Sequence, residues 1–303
     1  MTGRVIVTAI GRVVAGAAST DQDLVAVEAP LEIVLTHPAE PAGPGARPLT
    51  QSLGLVMRTP GDDGDLVMGL LVSEGIITAR ADILEVSFES HTHSPEDTDE
   101  ARPPRAIITL APAVDLAAFA NLRALDSTSA CGVCGRLALR AARTAGGHRT
   151  PDAPQIDAAA IEAIPARLRA GQAVFAETGG LHAAALCDLA GVPWLVREDV
   201  GRHNAVDKVV GAALAAGRLP ATEALLAVSG RVAYEIVQKA CAAGVVGVVA
   251  VGAPSSLAVG AARAAGLTLI GFTREGRFNI YAGWERISTT GKNSPIERPN
   301  PAE

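Results

Sequence analysis

Two cysteines, Cys131 and Cys134, stand two residues apart in the segment SACGVCG, and no other pair of residues in the chain offers as much chemistry. That spacing lets both sulfurs lie on one side of a turn entering a helix, here GRLALRAARTA. Backbone N–H groups and the helix dipole at such a turn favour the thiolate, the form that attacks sulfur or binds metal. Ser127, Thr128, Ser129, Gly132 and Gly135 surround the pair with small residues, as suits a loop that presents sulfur to more than one partner. Four uses compete. Structural zinc needs two more ligands, and Cys187 and Cys241 are single residues in an expected strand and an expected helix. A thioredoxin-like redox pair follows a hydrophobic strand, whereas LDSTSA before Cys131 is polar. An inert structural pair belongs in apolar surroundings. The fourth use is a persulfide on Cys131 that Cys134 could resolve as a disulfide, and spacing alone does not choose between transfer and redox cycling.

A second set of residues combines glycine with arginine: Gly201-Arg202-His203-Asn204, Ser229-Gly230-Arg231 and Arg274-Glu275-Gly276-Arg277. Glycine permits close backbone approach and the guanidinium fork matches phosphate oxygens. Each turn is expected after a strand, and the first two are expected to open helices, whose N–H groups would add to an anion site. A Gly-Arg turn is by itself only a turn; three in one half of the chain make an anionic ligand an even proposition. His182, at a strand start, reads as a partly buried and satisfied histidine. His203, between Asp199 and Asp207, reads equally as an acid–base group or an exposed helix-start residue. His91 and His93 fall in the polar stretch SHTHSPEDTDEARPP, a surface loop rather than a metal site. Trp194 and Tyr234 read as core or core-edge residues.

The elements that must position these residues follow from pattern. At 303 residues the chain has room for two domains, and 49% apolar against 3% aromatic residues demands a core of Ala, Val, Leu and Ile. Alternating runs at 5–14 and 24–36 predict hairpins, and acids at Asp62, Asp63 and Asp65 before an apolar stretch predict a helix that ends near Gly75. Strands are expected at 83–89 and 106–110, and a short helix at 116–124. From about Asp126 onward a strand-then-helix rhythm predicts a sheet with helices on its faces. The fold class is thus α/β, with an N-terminal α+β domain over 1–125, an α/β domain over 126–287 and a disordered tail over 288–303. A net charge of -6 gives no general attraction to nucleic acid, so any phosphate ligand needs a local basic site. The longest apolar stretch, 241–253, falls well short of the ~20 residues that span a bilayer, and the start does not read as a signal peptide. A cytoplasmic protein with free thiols, bound to no membrane, is expected.

Seven blocks together resemble the formate dehydrogenase accessory sulfurtransferase family, FdhD: EAPLEIVL, RTPGDDGDLVMGLLVSEGII, SACGVCG, GGLHAAAL, REDVGRHNAVDKVVG, VSGRVAYEIVQKA and GFTREGRFNIY, spread over 28–287. The resemblance implies a sulfurtransferase that takes sulfur from a cysteine desulfurase as a persulfide. It would deliver that sulfur to molybdenum cofactor, as Mo-bis(molybdopterin guanine dinucleotide) bound as cargo, before insertion into formate dehydrogenase. Cys131 matches the persulfide position with Cys134 as companion, and the cofactor-binding stretch falls on Phe272, Thr273, Arg274, Glu275, Gly276 and Arg277. Ser229 and Arg231 join that site on turn chemistry rather than on a matched role. The resemblance also implies a cytidine-deaminase-like fold for 126–287, and a homodimer is a reasonable expectation. Deaminase chemistry itself needs His-x-Glu, and this chain has His182-Ala183-Ala184. The runner-up to a sulfur carrier is a non-catalytic cofactor chaperone, and a zinc hydrolase is the third class.

Overall fold

The computed structural model describes residues 3–38, 49–89, 102–115 and 154–289. Cys131, Cys134, His91, His93, the boundary near Asp126 and the expected helix at 116–124 lie outside the described residues.

A hairpin opens the fold: β1 (Val5–Val14) and β2 (Ala17–Ala26) pair antiparallel through a turn at Ala15 and Gly16, both at positive φ. The run expected at 24–36 is broken at 27–28, where β2 gives way to β3 (Ala29–His37). There follow β4 (Leu49–Arg58), α1 (Asp63–Ser73), β5 (Ile83–Glu89) and β6 (Arg105–Leu110). The four strands from β3 to β6 form a sheet in the order β4-β3-β6-β5. Leu31, Ile33 and Leu35 alternate along β3 onto a shared core with Leu66, Val67, Leu70 and Leu71 of α1, as a period of two against a helical stripe requires.

The second half begins with β7 (Ile156–Asp157), α2 (Ala158–Ala170) and α3 (Ala173–Thr178), then β8 (His182–Cys187) and β9 (Pro193–Asp199). Helices and strands then alternate: α4 (Arg202–Ala215), β10 (Leu225–Val228), α5 (Tyr234–Ala243), β11 (Gly247–Ala250), α6 (Ser256–Ala265) and β12 (Thr268–Arg274). β13 (Arg277–Ala282) and β14 (Ile287–Ser288) close the described chain. The six-stranded sheet runs β13-β12-β11-β10-β8-β9, with β10, β11 and β12 parallel and β8 antiparallel to both its neighbours. β9 therefore runs in the direction of β10.

Alternation sends Ala184, Leu186, Leu226 and Val228 to one face of this sheet, against α4 and α5. Ala183, Ala185, Cys187, Leu225 and Ala227 go to the other face, against Ile161, Ile164 and Leu168 of α2. The mixed α/β class expected from the sequence is what forms, with six helices among the described residues. One apolar core is continuous from the four-stranded sheet through α1 and α4 to the six-stranded sheet. At the α1–α4 crossing, a methyl on Gly69 would run into the Asp207 carbonyl and one on Gly211 into the Asp65 carbonyl, so backbone touches backbone there. None of the described helices is long and apolar enough to cross a membrane.

Candidate functional site

The topology brings four chain segments to one edge of the six-stranded sheet: the start of β8, the β9–α4 loop, the β10–α5 loop and the end of β12. This is the carboxyl end of the parallel strands, where open α/β sheets present their ligand crevices.

The β9–α4 loop is held from behind. Asp199 accepts hydrogen bonds from Thr59 N at 3.1 Å, Gly201 N at 2.9 Å and Asn204 Nδ2 at 3.0 Å. It also pairs with Lys208 Nζ at 2.8 Å, both side chains being fully buried. Lys208 donates further to the carbonyl of Thr59, and Asn204 to that of Met57. Chain from the N-terminal sheet thereby fixes where α4 begins. One turn on, Asp207 is bound by Lys239 of α5 at 2.7 and 2.8 Å and by Ser73 of α1 at 2.7 Å. Glu198 accepts from the backbone of Val174 and Phe175 at the start of α3.

With its acids so engaged, the edge is basic. His203 does not pair with either flanking aspartate: Asp199 and Asp207 turn inward to lysines, and the nearest carboxylate oxygen to His203 Nε2 is that of Glu235 at 4.0 Å. His203 Nε2 and Arg202 Nε are both buried without a hydrogen-bond partner. Orphans of this kind cost roughly 1–3 kcal/mol each, and functional sites are where they persist. Burial first, then Arg202, Lys239 and His182, push the His203 pKa down to about 4. His182 is also lowered, by burial, Arg202 and Arg231, against an opposing pull from Asp199. Both imidazoles are neutral near pH 7. The satisfied histidine expected at 182 is half-buried but makes no hydrogen bond among the described residues.

The loops at this edge are joined by backbone hydrogen bonds. Gly252 N donates to Gly230 O, Phe272 N to Gly252 O, and Val232 N to Ala253 O. Gly252 has no room for a side chain, because a Cβ would meet Gly230 O at 2.7 Å. Ser229 Oγ accepts from Ala183 N at 2.9 Å, which ties the β10 end to β8. Arg231 does not open a helix as expected: α5 starts only at Tyr234, and Arg231 projects exposed from the intervening loop. Arg274 and Arg277 flank a hairpin turn at Glu275-Gly276 that joins β12 to β13. Arg274 Nη1 reaches the carbonyl of Val251 at 3.3 Å, which sets this turn beside the β11 end. Phe272 stands at φ 52° in the irregular part of β12, 43% exposed, while Thr273 is fully buried with its hydroxyl unpartnered. A left-handed non-glycine residue costs on the order of 1–3 kcal/mol, and such strain concentrates at ligand sites.

All the candidate residues within the described chain, Ser229, Arg231 and 272–277, thus lie on one sheet edge. The sequence reading missed how Asp199, Asp207, Lys208 and Lys239 are used; Asp207 and Lys208 inside the otherwise apolar run AVDKVVGAALAA were the available signal. Of the two described cysteines, Cys187 is buried and Cys241 partly buried. Burial, then the charge of Asp188, pushes the Cys187 thiol up to about 12, and burial pushes that of Cys241 up to about 11.

The FdhD/NarQ family model matches residues 26–288. Among curated relatives, the sulfur carrier protein FdhD of Streptomyces avermitilis is 42% identical, covering 90% of this chain and 92% of the relative. That of Nocardia farcinica is 44% identical over 88% of each chain. Among solved structures, a candidate formate dehydrogenase accessory protein from Desulfotalea psychrophila superposes with a TM-score of 0.67 at 21% identity, covering 94% of this chain and all of that one, which establishes a shared fold.

Proposed function

We propose, from the premise that this chain belongs to the FdhD/NarQ family, that it is a sulfur carrier serving the maturation of a formate dehydrogenase. Cys131 accepts sulfur from a cysteine desulfurase. Its thiolate attacks the terminal sulfur of the donor's persulfide, the donor S–S bond breaks, the donor leaves as a thiolate, and Cys131 holds the new persulfide. The sulfur then passes to Mo-bis(molybdopterin guanine dinucleotide), held as cargo over the basic edge by Phe272, Thr273, Arg274, Glu275, Gly276 and Arg277 with Ser229 and Arg231. The same membership suggests a cytidine-deaminase-like arrangement for 126–287, a cytoplasmic setting and a homodimer.

The observation that carries the assignment to Cys131 is the state of the other cysteines. Of four in the chain, Cys187 is buried and Cys241 partly buried, both with thiols held far above neutral pH, so thiolate chemistry falls to Cys131 and Cys134. Incubation with a desulfurase and cysteine, followed by peptide mass analysis, is expected to find one added sulfur on Cys131 and none on Cys187 or Cys241. Sulfur on an interior cysteine, or none at all, overturns the reading. Cys131→Ala separates a carrier from a non-catalytic chaperone: a carrier variant yields inactive formate dehydrogenase, whereas a chaperone variant still supports an active one.

A further inference from the structure

We propose that the β1–β2 hairpin is where two copies of this chain meet, each laying the uncharged face of its hairpin against the same face of the other across a two-fold axis. This deepens the homodimer of the preceding reading by giving it a surface, and it leaves the chemistry of Cys131 untouched.

Pairing of Val7 with Leu24 and of Val13 with Ala18 sorts the side chains of the hairpin onto two faces. One face takes the odd-numbered residues of β1 and the even-numbered residues of β2, and no charged residue is among them. Val13 is 69% exposed there, Val7 62% and Leu24 38%, with the small Ala9, Gly11 and Ala18 exposed between them. The other face carries every charge of the two strands: Arg12 and Asp21 pair at 2.8 Å, and Asp23 stands two residues along. Those charges interrupt Ile6, Val14 and Val25 on that side. The hairpin is held at its base by Arg4, which pairs with Asp62 at 2.7 Å and accepts from Val27 N at 2.9 Å, and β2 touches α3. No third strand joins it among the described residues, and two strands without a third or a covering layer are marginal in water.

A second copy suits this face better than any other cover. A two-fold axis sets a surface against itself, so a face without charge meets a face without charge. Each chain carries a net charge of -6, and here two such molecules can approach with no like charges opposed. The chain's own segments outside the described residues match the face poorly in sequence: 39–48 and 290–303 are rich in proline, 90–101 in acids and 136–149 in arginine. Strands of this length, at ~3.3 Å per residue and ~4.8 Å apart, give a face of roughly 33 by 10 Å, which with its partner lies at the low end of specific interfaces. The dimer is therefore expected to dissociate in the micromolar range or above.

Sedimentation velocity of the full chain over about 1 to 300 μM tests this. Wild type is expected to pass from monomer to dimer within that range. Peptides from 5–26 should exchange amide hydrogen more slowly at the high end than at the low, with no comparable change elsewhere. Val13→Glu and Val7→Glu each put a carboxylate on the uncharged face and are expected to raise the dissociation constant about tenfold or more, because like charges then oppose one another. Val14→Glu, one residue along, 64% exposed and on the other face, should leave it within about twofold. Thermal unfolding verifies that each variant is folded, and the exchange comparison, made on wild type alone, keeps the test decisive if one is not. A wild-type chain that stays monomeric throughout overturns both the surface and the homodimer. A dimer that survives Val13→Glu and Val7→Glu, or that Val14→Glu weakens as much, overturns the surface and keeps the homodimer. Protection of 5–26 that does not change with concentration places a segment of the same chain on the face and overturns the proposal as well. Sulfur loading of Cys131 enters none of these readouts, so the carrier reading stands or falls separately.

Discussion

Within one stretch, REDVGRHNAVDK, charged residues meet opposite fates. Asp199, Asp207 and Lys208 turn inward and, with Lys239, form two buried pairs at 2.7–2.8 Å. Arg202 and His203, from the same turn of the same helix, stay at the sheet edge beside His182 and Arg231 and find no acid within hydrogen-bonding reach. Pairing decides what each set does. The inner charges are balanced, further hydrogen-bonded and tied to α1 and α5, so they hold the loop in place. The outer charges have no such balance among the described residues.

The contrast is broken most severely at the inner pairs. Lys239→Met leaves the Asp207 carboxylate buried without its cation, and a cost of about 3–5 kcal/mol is expected in urea denaturation. Asp207→Leu combined with Lys239→Met removes both charges and should recover most of that loss. A single substitution costing no more than the double one would show that the pair does not hold the helices together. Next in size is the helix crossing that brings Ser73 to Asp207. Gly69→Ala drives a methyl into backbone and should cost about 1–3 kcal/mol by overpacking. Gly260→Ala, on open helix surface, should instead gain roughly 0.5–1 kcal/mol.

The difference between these two glycines shows where sequence reading stops. Both lie in helices, and local pattern treats them alike; only the partner backbone distinguishes them. Period and punctuation were enough for α1, for the strand–helix rhythm after β8 and for β1, because those features are local; most of β2 was not read, its segment AASTDQD being polar and exposed. α2 went unread, since Pro165 in its middle imitates a breaker. In the candidate site, glycine beside arginine marked the right loops, yet placed Arg231 on a helix start because nothing local fixes α5 at Tyr234 rather than three residues earlier. The flanking aspartates suggested company for His203, and the tertiary fold took them away. Which acid meets which base is a property of packing, and spacing in the chain does not encode it.

At the outer set the expected effects are smaller and depend on pH. His203 has an ordinary value of 6.5 and is held down to about 4 in the fold. Between those values the unfolded chain binds a proton that the folded protein refuses, so this residue's contribution, complete above pH 6.5, is lost as pH falls toward 4. The slope is at most about 1.4 kcal/mol per pH unit for one proton. His203→Gln should flatten the wild-type stability curve over that window, as measured by urea denaturation at successive pH values. A curve of unchanged slope would mean that His203 is protonated in the fold.

The smallest expected change is also the sharpest test of the contrast. If Arg202 were part of the scaffold, Arg202→Gln would destabilise the protein as the inner substitutions do. Its guanidinium has no acid to lose and keeps one nitrogen buried without a partner, so neutralising it should leave stability within roughly 0.5 kcal/mol of wild type or raise it slightly. Charge repulsion gives the same sign, since Arg202 is among the groups that hold His182 and His203 neutral. Both histidines should titrate at higher pH in the variant, which proton NMR of their ring resonances can follow. Loss of more than about 2 kcal/mol, or histidine titrations that do not move, would place Arg202 with the inner charges and erase the division between the two sets.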